Sequence, residues 1–312
     1  MIFAFIFLLL AIFLIIKSAD YAISYSSKIA EGLGLSKYIV GFLIIAIISI
    51  LPETLISVTS AFEGIPSFGL GTLFGSNVAD LTLVFALVLF VSHRNLKVES
   101  KIIKNAPLHI GVMIVPIMLG LNGYYSRIEG IILILLGTLF YLYVLKKHEY
   151  ESNVVREKFS YKNLLLLIVS MGGLLIGAHF TVKYGVNLAS ILNISPVIIG
   201  MFVVGLGTTL PELFFSIKAA KSKHDGLALG DILGTVVADA TIVVGIVAVI
   251  SPFSFNGRIV YITGVFMVLA IILLFYFMKT GKVLTRKEGF LLLLFYTAFV
   301  LTELLTSDLI KQ

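Results

Sequence analysis

Long apolar runs separated by short polar connections dominate this chain. A helix needs about 20 apolar residues to cross the hydrocarbon core of a bilayer, and the sequence offers ten runs of roughly that length: residues 1–16, 39–61, 68–92, 106–122, 128–145, 163–181, 196–217, 227–251, 258–278 and 287–305. The pattern predicts an all-α membrane protein with ten transmembrane helices. The more polar stretches 18–36 and 182–194 are expected to continue the first and sixth helices or to form amphipathic segments.

Two segments of the chain resemble each other closely. Residues 41–80 contain ISILPE followed by GTLFGSNVAD, and residues 200–239 contain GLGTTLPE followed by GDILGTVVAD. Each copy places a Leu-Pro-Glu triplet inside one apolar run and an Ala-Asp pair inside the next. Equivalent positions are 159 residues apart throughout. The chain is therefore predicted to consist of two homologous halves.

The polar segment 146–162 separates the two halves, residues 1–145 and 163–312, with five predicted spans each. Because five is odd, the halves must cross the membrane in opposite directions, which is the inverted-topology repeat of many secondary transporters. Of the 23 Lys and Arg residues, 19 lie in connections on one side, and only Arg127, Lys183, Arg258 and Lys311 lie on the other. The basic side is expected to be cytoplasmic. The protein would then lie in the cell (plasma) membrane with both termini on the extracellular side.

Composition supports a chain that lies mostly in lipid. Hydrophobic residues make up 59% of the sequence and charged residues only 13%, against about 25% in soluble domains. Mean hydropathy is +1.09. The net charge of +6 comes from basic residues scattered between apolar runs, so loop charge explains it better than nucleic-acid binding. The absence of cysteine excludes disulfides and thiolate metal sites.

Four carboxylates lie well inside predicted spans, at Glu53, Asp80, Glu212 and Asp239. Each costs at least about 2.5 kcal/mol to insert at the centre of a membrane helix, so intramembrane acids are candidates for function. No Lys or Arg lies near them within those spans. They must therefore be neutralised by bound cations or by protons. Cation binding is the direct interpretation, and protonated acids hydrogen-bonded inside the bundle are the structural alternative.

The neighbours of these acids supply further oxygen atoms. A proline inside a helix leaves a carbonyl one turn upstream without its donor, so Pro52 and Pro211 are expected to free carbonyls within 46–49 and 205–208. Hydroxyl residues stand four positions before each acid, on the same helical face. The candidate donors beside the four acids are Ala46, Ser49, Ser76, Gly205, Thr208, Thr209 and Thr235. All are oxygen ligands, which suit a hard cation such as Ca²⁺ or Na⁺.

These paired motifs resemble the alpha-repeats of the sodium/calcium exchanger family, within the cation/Ca²⁺ antiporter superfamily, and the resemblance covers the whole chain. It implies a monomeric secondary transporter rather than an enzyme, with no cofactor. Ca²⁺ would bind between Glu53 and Glu212 with groups of Ser49 and Thr208. Na⁺ would use overlapping sites that include Thr209, Ser76 and Thr235. The first and sixth spans would slide across a rigid core.

The first half departs from the family pattern where Na⁺ is concerned. Ile48 and Ile50 stand where the family has a glycine and a hydroxyl residue. Asp80 and Asp231 stand where Asn is usual, and potassium-dependent exchangers carry Asp at positions such as 80. One Ca²⁺ would leave four ionised carboxylates with a net charge of −2, so a second cation or protons should accompany it. Na⁺ is the first expectation for the counter-ion, with H⁺ and K⁺ as alternatives.

Two other classes of protein explain the pattern less well. A cation channel also uses carboxylates, but an inverted repeat with broken helices favours alternating access. An intramembrane aspartyl protease built on Asp80 and Asp239 would leave both Leu-Pro-Glu triplets unexplained. Among the remaining polar residues, Asp20 and His179 are expected at solvated helix ends, and the alternative is a pairing within the moving first and sixth helices. His109 and Glu303 are expected at the membrane interface.

Overall fold

The structure is a computed structural model that describes residues 2–32, 50–146, 160–223 and 225–308. Its α-helices are α1 (Ile2–Gly32), α2 (Leu51–Phe62), α3 (Pro66–Ala79), α4 (Phe85–Val91), α5 (Ser100–Lys104), α6 (Ala106–Leu119), α7 (Arg127–Lys146), α8 (Tyr161–Leu192), α9 (Pro196–Ile199), α10 (Gly205–Thr208), α11 (Leu210–Lys221), α12 (Asp225–Ala238), α13 (Val244–Ile250), α14 (Val265–Lys279) and α15 (Arg286–Asp308). The expected all-α class is confirmed.

Within the described residues, seven helical stretches are long and apolar enough to span a bilayer: Pro66–Val91, Arg127–Val144, Tyr161–Leu192, Pro196–Lys221, Ala228–Ile250, Ile259–Lys279 and Arg286–Thr306. Two shorter apolar helices, Ile2–Ser18 and Ala106–Asn122, match the first and fourth predicted spans. The second predicted span lies partly outside the described residues. The first and sixth spans continue as helices, since α1 runs unbroken for 31 residues to Gly32 and α8 for 32 residues to Leu192.

The observed helix bounds repeat at the offset seen in the sequence. Leu51–Phe62 and Leu210–Lys221 are 159 residues apart at both ends, and so are Pro66–Ala79 and Asp225–Ala238. The two helices then continue through π-helical turns, Asp80–Val84 and Asp239–Val243, at the same offset. Equivalent sequence segments have thus folded into equivalent elements.

Short strands join the two halves at their connections. Leu96–Lys97 (β1) pairs with Val283–Leu284 (β4), and Tyr124–Tyr125 (β2) pairs with Phe253–Ser254 (β3), both antiparallel. The first pair joins two of the basic connections, and the second joins two connections on the sparsely charged side. Arg94, next to β1, also forms a bidentate ion pair with Asp225 at the start of α12, at 2.7 and 2.8 Å. The predicted grouping of connections agrees with these contacts.

Burial separates central helices from peripheral ones. The most apolar windows of Pro66–Val91 and Ala228–Ile250 are 78% and 83% buried, whereas those of Arg127–Val144 and Arg286–Thr306 are only 28% buried. A large hydrophobic cluster surrounds the central pair. A second, smaller cluster lies where α1 packs along α8 and against α2. Asp80 and Asp239 directly follow α3 and α12, so these two acids lie in the most buried helical stretches of the protein, while Glu53 and Glu212 lie in α2 and α11.

Two residues expected at the membrane interface are buried, so those predictions were wrong. His109 packs against the rings of Phe140 and Phe275, with centroid distances of 4.9 and 5.4 Å, and its Nδ1 lies 3.0 Å from the Asn105 carbonyl oxygen. Glu303 is 1% exposed and pairs with Arg258. Both residues contact partners on other helices or turns. The hydrophobicity of a predicted span carries no information about such contacts.

Asp20 and His179 were expected at helix ends, but both lie inside long helices, since α1 continues to Gly32 and α8 to Leu192. Asp20 lies 3.7 Å from Lys17, and both side chains are about half exposed. The His179 ring is likewise about half exposed and contacts Glu63, with 3.0 Å between Nδ1 and Oε1. Neither residue lies among the buried acids.

Candidate ion-binding site

A break in the helical backbone precedes each glutamate. Thr209 separates α10 from α11 with φ −75° and ψ −8°, and its counterpart Ile50 precedes α2 with φ −76° and ψ −5°. Pro211 and Pro52 occupy the first turns of the following helices, where a missing N–H is tolerated. Glu212 and Glu53 therefore stand in the first turn after equivalent breaks.

Each aspartate marks a different irregularity. Asp80 and Asp239 are the first residues of the π-helical turns that follow α3 and α12. Two turns of this rare type at equivalent acids are notable because π-turns inside α-helices concentrate at functional sites. Within these turns, the hydroxyls of Thr82 and Thr241 donate hydrogen bonds to the carbonyls of Val78 and Val237, four residues earlier.

The four acids are buried, and the part of the chain that the structure describes brings no cationic side chain into an ion pair with them. Glu53, Asp80 and Glu212 are each 1% exposed and Asp239 is fully buried. They lie close enough together to interact electrostatically, Asp80, Glu212 and Asp239 each with Glu53. Buried carboxylates in such surroundings need a bound cation or a proton to compensate their charge.

Oxygen atoms without hydrogen-bond partners gather at these residues. Within the described residues they include Glu53 Oε2, Asp80 Oδ1, both carboxylate oxygens of Glu212 and of Asp239, and Thr235 Oγ1. Buried polar atoms are nearly always satisfied, so a group of orphaned acceptors indicates a place for a missing partner. Because nearly all of these atoms are acceptors, the partner they fit is a cation.

The hydroxyl residues predicted as ligands fall into two groups. The Thr208 hydroxyl donates to the Gly205 carbonyl at 3.0 Å, and it also lies beside the Glu53 carboxylate of the other half of the chain. Thr235 has an unpartnered hydroxyl. By contrast, Ser76 and Thr209 donate to backbone carbonyls of their own helices, both at 3.0 Å. These two would have to rotate to ligate an ion.

The remaining predicted ligands are backbone groups or lie beyond the described residues. The Gly205 carbonyl accepts hydrogen bonds from the Thr209 N–H, at 3.1 Å, and from the Thr208 hydroxyl. It would have to lose one of these hydrogen bonds to ligate an ion. Ala46, Ile48 and Ser49 lie outside the described residues. Where the structure is described, no three His, Asp or Glu side chains are arranged to hold one metal ion. An ion here would therefore take at most two carboxylates, with hydroxyls and carbonyls completing its shell.

Ile50 bears out the difference between the halves. Its side chain packs, partly buried, against the large hydrophobic cluster. Its carbonyl accepts both the N–H and the hydroxyl of Thr54, at 2.9 and 2.6 Å. Its counterpart Thr209 instead presents a buried hydroxyl. The first half therefore offers no side-chain oxygen at this position.

Two polar residues near the acids were not among the predicted ligands. Asn77 donates to the Val236 carbonyl at 3.3 Å, which ties α3 to α12 through positions 159 residues apart. Asp231 is 6% exposed and interacts electrostatically with Asp80 and Glu212. The only sequence signal for Asn77 was a polar residue within an apolar run, whereas Asp231 also departs from the family pattern. Tyr141 donates to the Gly234 carbonyl at 2.8 Å beside these residues.

An all-helical chain with several membrane-length helices and a buried, unneutralised acid cluster is typical of membrane cation transporters. Comparison with known proteins gives the family. The sequence model described as "Sodium/calcium exchanger protein" matches residues 3–146 and again residues 162–305. The chain belongs to this family of multispanning membrane proteins, which are cation/Ca²⁺ antiporters.

Individual relatives extend over nearly the whole chain. The sodium/calcium exchanger MaX1 of Methanosarcina acetivorans is 24% identical, with 95% of this chain and 97% of the relative covered. The putative antiporter CaxA of Alkalimonas amylolytica is 29% identical over 96% and 98% of the two chains. A solved structure of the sodium-calcium exchanger NCX_Mj, soaked with Na⁺ and Sr²⁺, superimposes with a TM-score of 0.70 at 26% identity, covering 96% of this chain and 98% of that one.

Proposed function

We propose that this chain exchanges Ca²⁺ for Na⁺ across the cell membrane. The observation that carries the proposal is the group of four buried acids, symmetric at the offset of 159, with orphaned oxygens and with no ion-pair partner among the described residues. Ca²⁺ binds between Glu53 and Glu212, with Thr208 and Ser49 as further ligands. Na⁺ uses Asp80, Asp239, Ser76, Thr235 and Thr209, together with the carbonyls near Ala46 and Gly205.

The proposal includes ten spans in two inverted five-helix repeats, residues 1–145 and 163–312, with a cytoplasmic connection at 146–162 and both termini outside. The strand pairs support it, because β1–β4 and β2–β3 each join one half to the other at connections predicted on the same side. The repeated family match, again 159 residues apart, also favours duplication. The functional unit is a monomer.

Alternating access is proposed to occur by sliding of α1 and α8 across the central helices. These two long helices pack mainly on each other and share a hydrophobic cluster separate from the larger central one. Gly207, beside the helix break, packs closely against Ile12 of α1. A Cβ atom added to Gly207 would lie only 2.6 Å from the Ile12 side chain. A movement of α1 would therefore change the packing next to Thr208 and Glu212.

Ca²⁺ uptake into proteoliposomes under separate outward gradients of Na⁺, K⁺ and H⁺ tests the function. We expect the Na⁺ gradient to drive saturable uptake and the other two gradients to drive little. Uptake driven only by H⁺ or only by K⁺ would assign the counter-ion differently while keeping the acids as the site. Uptake that does not saturate and is not coupled to any gradient would indicate a channel.

Replacing Ile50 by Ser should strengthen the Na⁺ dependence of Ca²⁺ uptake. The change places a hydroxyl where the second half carries Thr209, so it restores a possible Na⁺ ligand next to Glu53. The Na⁺ concentration that gives half-maximal uptake should fall in Ile50→Ser. Ile50→Val, which adds no oxygen, is the matched control. An equal Na⁺ response in both variants would show that the missing hydroxyl is unimportant.

A further inference from the structure

Asp231 is a buried carboxylate with no acidic counterpart in the other half of the chain. It lies in α12 and is 6% exposed, while the equivalent residue of α3 is Thr72. The Thr72 hydroxyl donates to the Phe68 carbonyl at 3.0 Å and is fully buried. A hydroxyl thus satisfies the fold at this position in the first half. The second half instead buries a carboxylate at this position, and a charge inside a membrane helix is costly.

The position of Asp231 along α12 lies between the basic connections and the central acids. The helix begins at Asp225, which is held by Arg94 and by the Lys97 N–H at 2.9 Å. At 1.5 Å per residue, Asp231 is about 9 Å further along the helix and Asp239 about 12 Å beyond Asp231. Asp231 therefore lies on the side of Asp239 that faces the basic loops.

A second group points to a ligand at this position. Thr235 stands four residues after Asp231 and four before Asp239, so the three share one face of α12. Its side chain is fully buried, and its Oγ1 has no hydrogen-bond partner within the described residues. In the first half the equivalent Ser76 hydroxyl bonds back to the Leu73 carbonyl. The second half alone thus presents an acid and a free hydroxyl in line with a central carboxylate.

The surroundings of Asp231 favour a cation over a structural role. Asp231 interacts electrostatically with Asp80 and Glu212, so a fifth negative charge is added to a buried acidic cluster. The Tyr141 hydroxyl, bonded to the Gly234 carbonyl, lies in electrostatic range of both Asp231 and Asp239. A hard divalent cation with oxygen ligands would relieve the repulsion among these charges.

We propose that Asp231 and the Thr235 hydroxyl form an inner station that binds Ca²⁺ between the central acids and the face of the protein with the basic loops. This inference rests on the proposed function, since it assigns a further step to the same Ca²⁺ pathway. Because Thr72 replaces the acid in the other half, the station exists on one side only. Ca²⁺ therefore meets different entry sites from the two faces.

Membrane vesicles of defined orientation test this asymmetry. The KM for Ca²⁺ is measured from each face for the unsubstituted protein, for Asp231→Asn and for Asp231→Thr. Losing a charged ligand should raise the KM on the basic-loop face about tenfold or more, with little change on the opposite face. Asp231→Thr copies the residue of the other half, so it serves if Asp231→Asn folds poorly. Thr72→Val is the control and should leave both KM values unchanged.

The double variant Thr72→Asp/Asp231→Thr moves the acid to the other half, and the face with the lower KM should change with it. Equal KM increases on both faces in Asp231→Asn would place Asp231 in the central site and overturn the inference. If Asp231→Asn leaves both KM values unchanged while the unsubstituted protein takes up Ca²⁺ normally, the inner station is overturned and the proposed function stands. Absence of Ca²⁺ uptake by the unsubstituted protein would overturn the proposed function together with the inference.

Discussion

Glu212→Gln should abolish Ca²⁺ transport while leaving the protein folded. Glutamine has nearly the same size and a similar helix propensity, so the first turn of α11 after Pro211 is preserved. The substitution removes a negative charge and replaces one carboxylate oxygen with an amide nitrogen, which cannot ligate a cation. Both Glu212 oxygens lack hydrogen-bond partners within the described residues, so the change costs the fold little.

The same substitution at Glu53 should have the same effect, because the two residues are equivalent and interact electrostatically. Uptake of radioactive Ca²⁺ into proteoliposomes measures the effect, and elution as a single sharp species in detergent shows that the variants fold. Glu63→Gln is the matched control, since Glu63 lies at the far end of α2 with its side chain 33% exposed. It should transport normally. Full transport by Glu212→Gln would show that the assignment of the central acids as Ca²⁺ ligands is wrong.

The helices and the acids could be predicted from the sequence because both are local or repeated signals. Apolar runs of membrane length indicate helices wherever they occur, and the repetition of Leu-Pro-Glu at residues 51–53 and 210–212 identified the equivalent breaks. The acids stood out because a carboxylate in an apolar run is costly. The bounds of α2 and α11 repeat at the offset that the motifs set.

Contacts between distant segments could not be predicted in the same way. Glu303 was expected at the interface because it lies near the end of the last span, yet Arg258 on a connection 45 residues earlier reaches it. His109 was misplaced for the same reason, since Phe140 and Phe275 come to it from other helices. The π-helical turn at Asp80 also has no sequence signal that separates it from an ordinary helix. Partners of this kind depend on how helices pack, which span hydrophobicity does not specify.

Breaking the Arg258–Glu303 pair should destabilise the protein strongly. The Arg258 Nη2 lies 2.5 Å from Glu303 Oε2, and the same guanidinium donates to the Glu303 carbonyl and to the Thr306 hydroxyl, both at 2.6 Å. Thr263 donates to the other carboxylate oxygen at 2.5 Å. In Arg258→Met the acid, 1% exposed, would remain buried without its cation. Such a loss typically costs about 3–5 kcal/mol of folding free energy.

Heating the purified protein in detergent and measuring the fraction that stays monodisperse would show this loss as a lower midpoint temperature. Arg127→Met is the matched control, because Arg127 starts α7 on the same predicted side but is exposed, and its midpoint should not change. Adding Glu303→Gln to Arg258→Met removes the uncompensated charge, so the double variant should recover much of the lost stability. Removing one partner of a buried ion pair lowers the folding stability more than replacing both partners. The midpoint temperature of Arg258→Met should therefore be lower than that of Arg258→Met/Glu303→Gln. If the double variant were no more stable than Arg258→Met, the loss would come from the hydrogen bonds of Arg258 to Thr306 and the helix backbone rather than from the stranded charge.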